Sequence, residues 1–295
     1  MDSTKTRRAY PNIGHAVLMT LAVLGIQLAG GMAIGIVALV VGGRDAPKAV
    51  GHHPATIIAI NLLAFAVVLG WGFAANQVPW RTLLPMQGLR AAAIPALLLT
   101  VAGFSIVLSE VDNLVSMVLP RPEWLVAFFR DVMASDQHPG MSLFLTVVVA
   151  TTTEEALFRG VILRGLLGNT RPAVAIGISA LLFAFLHVNP WQFFGPLVLG
   201  VLFGWWYLRT GSLVPCMIGH ALFNALAYFS QHSPFDIPGF TVPHGLVAAP
   251  VHQPLWLTLG GAAVVLLGLW CFHRATPPPA APPLLAPEPA PTTAG

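Results

Sequence analysis

TTTEEALFRG, residues 151–160, places Glu154, Glu155 and Arg159 inside a stretch that is otherwise uncharged from residue 141 to residue 163. A charge near the centre of a membrane helix costs at least ~2.5–3.5 kcal/mol, so three such groups within six residues need compensation or a task. Helix geometry separates them. Successive residues turn by about 100°, which sets Glu155 and Arg159 almost on one line and points Glu154 about 140° away from the arginine. The spacing predicts that Glu155 and Arg159 neutralise each other. Glu154 is left over, and a surplus carboxylate at that depth is a functional-site candidate.

The surroundings justify treating the stretch as membrane-embedded. Of 295 residues 56% are hydrophobic and 8% charged, against roughly 25% charged in soluble domains. The expected fold class is all-α: a polytopic membrane protein with about eight transmembrane helices and a polar intramembrane cavity. Working outward, the stretch belongs to a span over residues 141–167. Three spans precede it, at about 14–41, 55–75 and 91–109; four follow, at 173–186, 193–208, 213–229 and 255–272. The apolar run after the basic N-terminus is too long for a cleaved signal peptide and is taken as the first span. A formal charge of +3, scattered over the loops, gives no reason to expect a nucleic-acid partner.

The connectors are short except between the third and fourth spans. There, residues 123–134 (EWLVAFFRDVMA) gather Trp124, Leu125, Phe128 and Phe129 towards one side and Arg130 and Asp131 towards the other, which predicts an amphipathic interfacial helix. His52 and His53 read as a solvated loop pair. Trp205, Trp206 and Tyr207 read as an interfacial aromatic belt. Cys216 and Cys271 lack metal or disulfide spacing and read as buried hydrophobes. The chain thus divides into a tail at 1–13, N-terminal membrane helices and amphipathic connector at 14–140, a core at 141–230, a loop with the last helix at 231–273, and a Pro/Ala-rich disordered tail at 274–295. An eight-span path with the N-terminus inside puts Lys5, Arg7, Arg8, Arg81, Arg90, Arg164, Arg171, Arg209 and Arg274 on the inner side. Arg44, Lys48, Arg121 and Arg130 fall on the outer. The bias favours cytoplasmic termini.

Few other ionisable groups lie within the apolar spans: His187 at the end of the fifth, and His220 in the seventh with Asn224 four residues on. Helices joined by turns as short as Asn189-Pro190 and Gly211-Ser212 are neighbours, so these groups can converge. A carboxylate and an imidazole around one water form a general base. An imidazole beside a carboxamide offers donors to the oxyanion of a tetrahedral intermediate. Glu154, His187 and His220 also have the composition of a two-His, one-carboxylate zinc site, although Asn224 suits a donor better than a fourth ligand. Individually each residue has a plainer reading, His187 as an anchor and His220 as a helix–helix hydrogen bond. On spacing alone, a water-attacking peptidase and a proton-coupled transporter with a Glu–His relay stand level.

Three motifs in order, E-E-x-x-x-R at Glu154, Glu155 and Arg159, F-x-x-x-H at Phe183 and His187, and H-x-x-x-N at His220 and Asn224, resemble the type II CAAX prenyl endopeptidase family. It is also called the ABI or CPBP (CAAX protease and bacteriocin-processing) family. The resemblance covers residues 151–227 and identifies the core at 141–230 with the family's protease domain; the first 140 residues share only generic spans. It implies an intramembrane protease in which Glu154 and His187 activate water, His220 and Asn224 hold the oxyanion, and Glu155 and Arg159 support the site. The family has often been called a metalloprotease, but the Asn in the last position fits glutamate-activated water better. No cofactor is therefore favoured, with zinc as the alternative. The implied partners are the bilayer and a hydrophobic or lipidated peptide or protein substrate, and the location is a bacterial plasma membrane. Related bacterial proteins are linked to bacteriocin processing and self-immunity, so an immunity role without proteolysis is a further alternative.

Overall fold

Every apolar segment is punctuated by residues that start or stop a helix. Proline occupies the first turn of several of them, Pro54, Pro139, Pro172 and Pro215 among them, where its missing N–H is no loss. The Asn12 side chain accepts from the His15 backbone N–H to cap the first helix. Gly211, at φ 65°, closes another in the left-handed conformation. In the computed structural model, which describes residues 9–127, 139–241 and 250–277, the segments form eight long helices. These are α1 (Ile13–Gly42), α2 (Pro54–Asn76), α3 (Ala93–Val118), α4 (Pro139–Leu167), α5 (Pro172–Leu186), α6 (Phe194–Thr210), α7 (Val214–Gln231) and α8 (Leu255–Ala275). No strand occurs among the described residues.

The chain is an all-α, multi-pass integral membrane protein. Six helices are long and apolar enough to cross a bilayer: α1, α2, α3, α4, α6 with its leading turn, and α8. The expected figure of about eight is therefore met in helices and not in clear crossings. α5 has 15 residues, about 22 Å of helix against a hydrocarbon core of about 30 Å. α7 carries His220 and Asn224 and is the more polar of the two.

The apolar side chains that face outward say where the lipid is. Leu28, Met32, Val40 and Val41 on α1, and Leu266, Leu267 and Trp270 on α8, are exposed, a surface that only a membrane would cover. α8 lies close on α3. A Cβ at Gly103 would come 2.7 Å from the Val265 backbone nitrogen, and one at Gly268 would come 2.6 Å from that of Thr100, so small residues let the two backbones meet.

Connector contacts sort the helix ends into two opposite sets. In one, Asn169 donates to the Ala9 carbonyl (2.7 Å), Ser212 to that of Gln87 (2.6 Å) and Arg209 to that of His273 (2.6 Å). In the other, Trp191 donates to the Leu119 carbonyl, and Asn113 to that of Gly239 (2.7 Å). The segment 123–134 starts a helical turn at residues 123–127 with Trp124 exposed and Leu125 buried. Its remainder lies outside the described residues, as does the Pro/Ala-rich tail from residue 278. A cavity of about 450 Å³ lies away from the polar residues, lined by Ala33, Val37, Val41, Ala46 and Val50 among others. Trp206 and Tyr207 are fully buried and form no interfacial belt. Gly219 on α7 lets Trp206 in, since a Cβ there would sit 2.4 Å from the indole ring.

Candidate active site

α4 is not a uniform helix. Two wide-turn π segments, Leu145–Ala150 and Ala156–Leu163, flank the short α-helical stretch Thr151–Glu155. Such widenings recur at functional sites because they re-aim side chains and backbone groups. Each segment here has a carbonyl serving a side chain of another helix. The Thr146 carbonyl accepts from Asn224 Nδ2 at 2.9 Å, and the Phe158 carbonyl from the Ser179 hydroxyl at 3.1 Å. All of residues 156–163 are buried.

Glu155 and Arg159 pair as the spacing predicts, with Arg159 Nη1 2.8 Å from Glu155 Oε1 and both side chains at most 1% exposed. The same carboxylate oxygen lies 2.9 Å from His220 Nδ1. An ionised carboxylate can only accept, so Nδ1 carries the hydrogen and Glu155 fixes the ring's tautomer and direction. The other nitrogen, Nε2, then faces Glu154, whose Oε2 lies 3.8 Å away. Glu154 is mostly buried, 12% exposed, and has no cation in direct contact among the described residues. His220 thus stands between the two glutamates of the motif, a cross-helix contact that spacing within one helix cannot reveal.

The guanidinium of Arg159 has two further nitrogens, Nε and Nη2, buried without a hydrogen-bond partner. Aromatic faces take their place, with Phe183 4.5 Å and Phe203 5.3 Å from Cζ. Phe183 also meets His220 and His187 edge to face, at 5.8 and 5.2 Å between centroids. It therefore joins the second motif to the other two.

His187 caps the C-terminus of α5. Its Nδ1 lies 3.0 Å from the Phe183 carbonyl, which can only accept, so Nε2 is left as a lone-pair base. Its depth follows from the short helix. α5 starts beside the 168–171 turn and places His187 about 22 Å from it; Glu154, thirteen residues before Leu167, is about 20 Å from the same turn. Along their helices the two groups thus lie at comparable distances from that turn. Asn224 lies one turn beyond His220 on α7 and is anchored through one amide hydrogen on Thr146, which leaves the second hydrogen to donate.

The donors do not gather as a metal site. Among the described residues no group of three or more His, Cys, Asp or Glu is placed to hold a metal ion. Each Nδ1 is held, that of His220 by Glu155 and that of His187 by the Phe183 carbonyl, which is also how a metal-bound histidine is oriented. It is spacing, and not a lack of free ring nitrogens, by which Glu154, His187 and His220 fail to fit zinc as a ligand set. Two participants went unread in the sequence. Asn61 on α2 accepts from the Thr153 hydroxyl at 3.3 Å, and a lone amide in an apolar helix was a legible signal for it. Phe203 gave no signal.

Residues 136–226 match the family model described as type II CAAX prenyl endopeptidase Rce1-like. The match spans the site from the start of α4 to Asn224 and leaves out Asn61 of α2. No curated protein and no solved structure matches the chain.

Proposed function

From the Rce1-like domain that the chain carries at residues 136–226, a family of proteases, we propose that the protein is an intramembrane endopeptidase that hydrolyses its substrate with water activated by Glu154. The observation that carries the reading is the division of labour between adjacent glutamates. Glu155 is spent on Arg159 and His220, while Glu154 faces His220 Nε2 at 3.8 Å without a cation of its own. A mostly buried carboxylate beside an oriented imidazole is suited to general-base work.

The steps balance as follows. Glu154, assisted by His187 Nε2, takes a proton from water, and the hydroxide oxygen bonds to the scissile carbonyl carbon. The negative charge moves to the carbonyl oxygen, where Asn224 Nδ2–H donates to it with the His220 ring alongside. The C–N bond then breaks, and the proton held by Glu154 passes to the leaving amine. Every group used belongs to this chain, and no step runs through a metal.

The depth of Glu154 and His187 points to a substrate that enters the bilayer, a membrane-associated, hydrophobic or lipidated peptide or protein, in the plasma membrane of a bacterium. With the Asn169 side taken as cytoplasmic, the described residues put Arg81, Arg90, Arg164, Arg171, Arg209 and Arg274 inside and Arg44, Lys48 and Arg121 outside. The decisive experiment compares membrane-peptide profiles of cells carrying wild-type protein with cells carrying Glu154→Gln, followed by cleavage assays of the peptides that differ. Glu154→Gln keeps shape and removes the base, so cleavage should fall by at least ~100-fold. Equal rates would remove Glu154 from the reaction.

A further inference from the structure

Phe203 lies outside all three motifs, on α6, yet it touches both the Arg159 guanidinium and the His220 imidazole. Its ring stands 5.3 Å from the Arg159 guanidinium carbon and stacks on the His220 imidazole, at 5.7 Å between centroids and 28° between planes. It is fully buried, and its back is held by Trp206, 5.5 Å away, which in turn stacks on Phe272 of α8 at 5.0 Å. A Cβ on Gly219, the residue before His220, would come 3.2 Å from Phe203 Cε1. The ring is therefore wedged against the turn that carries the histidine.

We propose that Phe203 is a positioning residue whose aromatic face holds the Arg159 guanidinium and the His220 imidazole in register. It acts through its π electrons and not only through its bulk. This rests on the proteolytic reading of the site. Two buried nitrogens of Arg159 lack hydrogen-bond partners, so the ring faces of Phe183 and Phe203 are what compensate the charge on those sides. Arg159 steadies Glu155, and Glu155 sets the Nδ1–H of His220. Loss of the Phe203 face disturbs that chain at its first link and at its last. Phe183 belongs to a motif and meets His220 by its edge; Phe203 is the ring that lies along the imidazole plane.

Fluorination tests this without changing shape. Phe203 is replaced by mono-, tri- and pentafluorophenylalanine, with the same series at Phe65, equally buried on α2 and without a cation over its ring among the described residues. Each purified protein is measured for kcat and KM on a peptide cleaved by wild type, and for its thermal midpoint in detergent. The expected result is a stepwise fall in kcat at Phe203, reaching about tenfold for the pentafluoro ring. KM should stay within about twofold and the midpoint should fall in parallel, while the Phe65 series stays flat. A flat kcat and midpoint at Phe203, or equal trends at both sites, overturns the proposal and leaves a packing ring. If wild type cleaves no peptide, the proteolytic reading fails separately. The midpoint series then decides, a graded fall at Phe203 alone sustaining the clamp and a flat series ending it.

Discussion

α1 and α4 are both long, apolar helices, and they are built for opposite tasks. In the most apolar stretch of α1, 6% of residues are buried by protein; in that of α4, 50%. α1 presents Leu28, Met32, Val40 and Val41 to lipid, holds a regular helix and carries no Asp, Glu, Lys or Arg. α4 turns inward, widens twice and carries four charged residues, Glu154, Glu155, Arg159 and Arg164. A membrane helix can hold charge when neighbouring helices bring hydrogen-bonding groups or aromatic faces to it, and α4 is the helix so surrounded. The price of that burial is sensitivity, which the two helices should show in reverse proportion.

The sharpest break in the comparison is at Glu154. Glu154→Gln should lower cleavage at least ~100-fold, whereas Leu28→Ala on the lipid face of α1 should leave the rate within about twofold. A purified Leu28→Ala protein as inactive as Glu154→Gln would mean that the two helices are not functionally distinct. Next comes the Glu155–Arg159 pair. Arg159→Ala strands a buried carboxylate at a cost of about 3–5 kcal/mol, read as loss of folded protein in detergent. Replacing both partners with leucine should recover much of that stability, since no lone charge remains. Activity should not return, because Glu155 also holds His220 at 2.9 Å. Recovery of both would leave the pair with a purely structural role.

A smaller effect separates the glycines of the two regions. Gly219→Ala drives a methyl to within 2.4 Å of the buried Trp206 ring, and overpacking of this kind costs about 1–3 kcal/mol. Gly31→Ala on α1 meets nothing within 4 Å and should be neutral or stabilising by up to about 1 kcal/mol. Thermal midpoints of the two variants in the same detergent check the contrast. Equal losses would show that α7 yields more readily than its packing implies.

The helices were legible because charges, prolines and glycines punctuate nearly unbroken apolar runs, and the Glu155–Arg159 pair because it lies within one helix at a spacing of four. What depended on contacts between helices was not. Nothing in Leu145–Ala150 or Ala156–Leu163 encodes a wide turn by itself; the turns are completed by Asn224 and Ser179, distant in sequence. Consecutive aromatics at Trp205, Trp206 and Tyr207 have the composition of an interfacial belt, and only the small Gly219 opposite turns Trp206 into core. His220 was legible as a site residue, yet its bond to Glu155 was not, because that bond joins α7 to α4 across 65 positions of sequence. His187 was legible as the end of a short span at 173–186, and α5, 15 residues long, agrees with that reading.

The smallest expected effect is none at all, and it bears on what the buried charges of α4 are for. Had α4 been widened to build a metal centre, Glu154, His187 and His220 would converge on one point. Instead no three such groups among the described residues are placed together for a metal. Dialysis of the purified protein against a strong chelator should therefore leave the cleavage rate within about twofold of the untreated enzyme, and metal analysis should find zinc well below one per chain. Structural or catalytic zinc normally holds three or four tight protein ligands and is lost with function. Zinc at one per chain, with activity removed by chelation and restored by the metal, would require Glu154, His187 and His220 to rearrange around it. That outcome would also change the meaning of the α1–α4 contrast. The charges of α4 would then be a ligand set that the ion neutralises, and Glu155 and Arg159 would be the only pair in the site balanced by the protein alone.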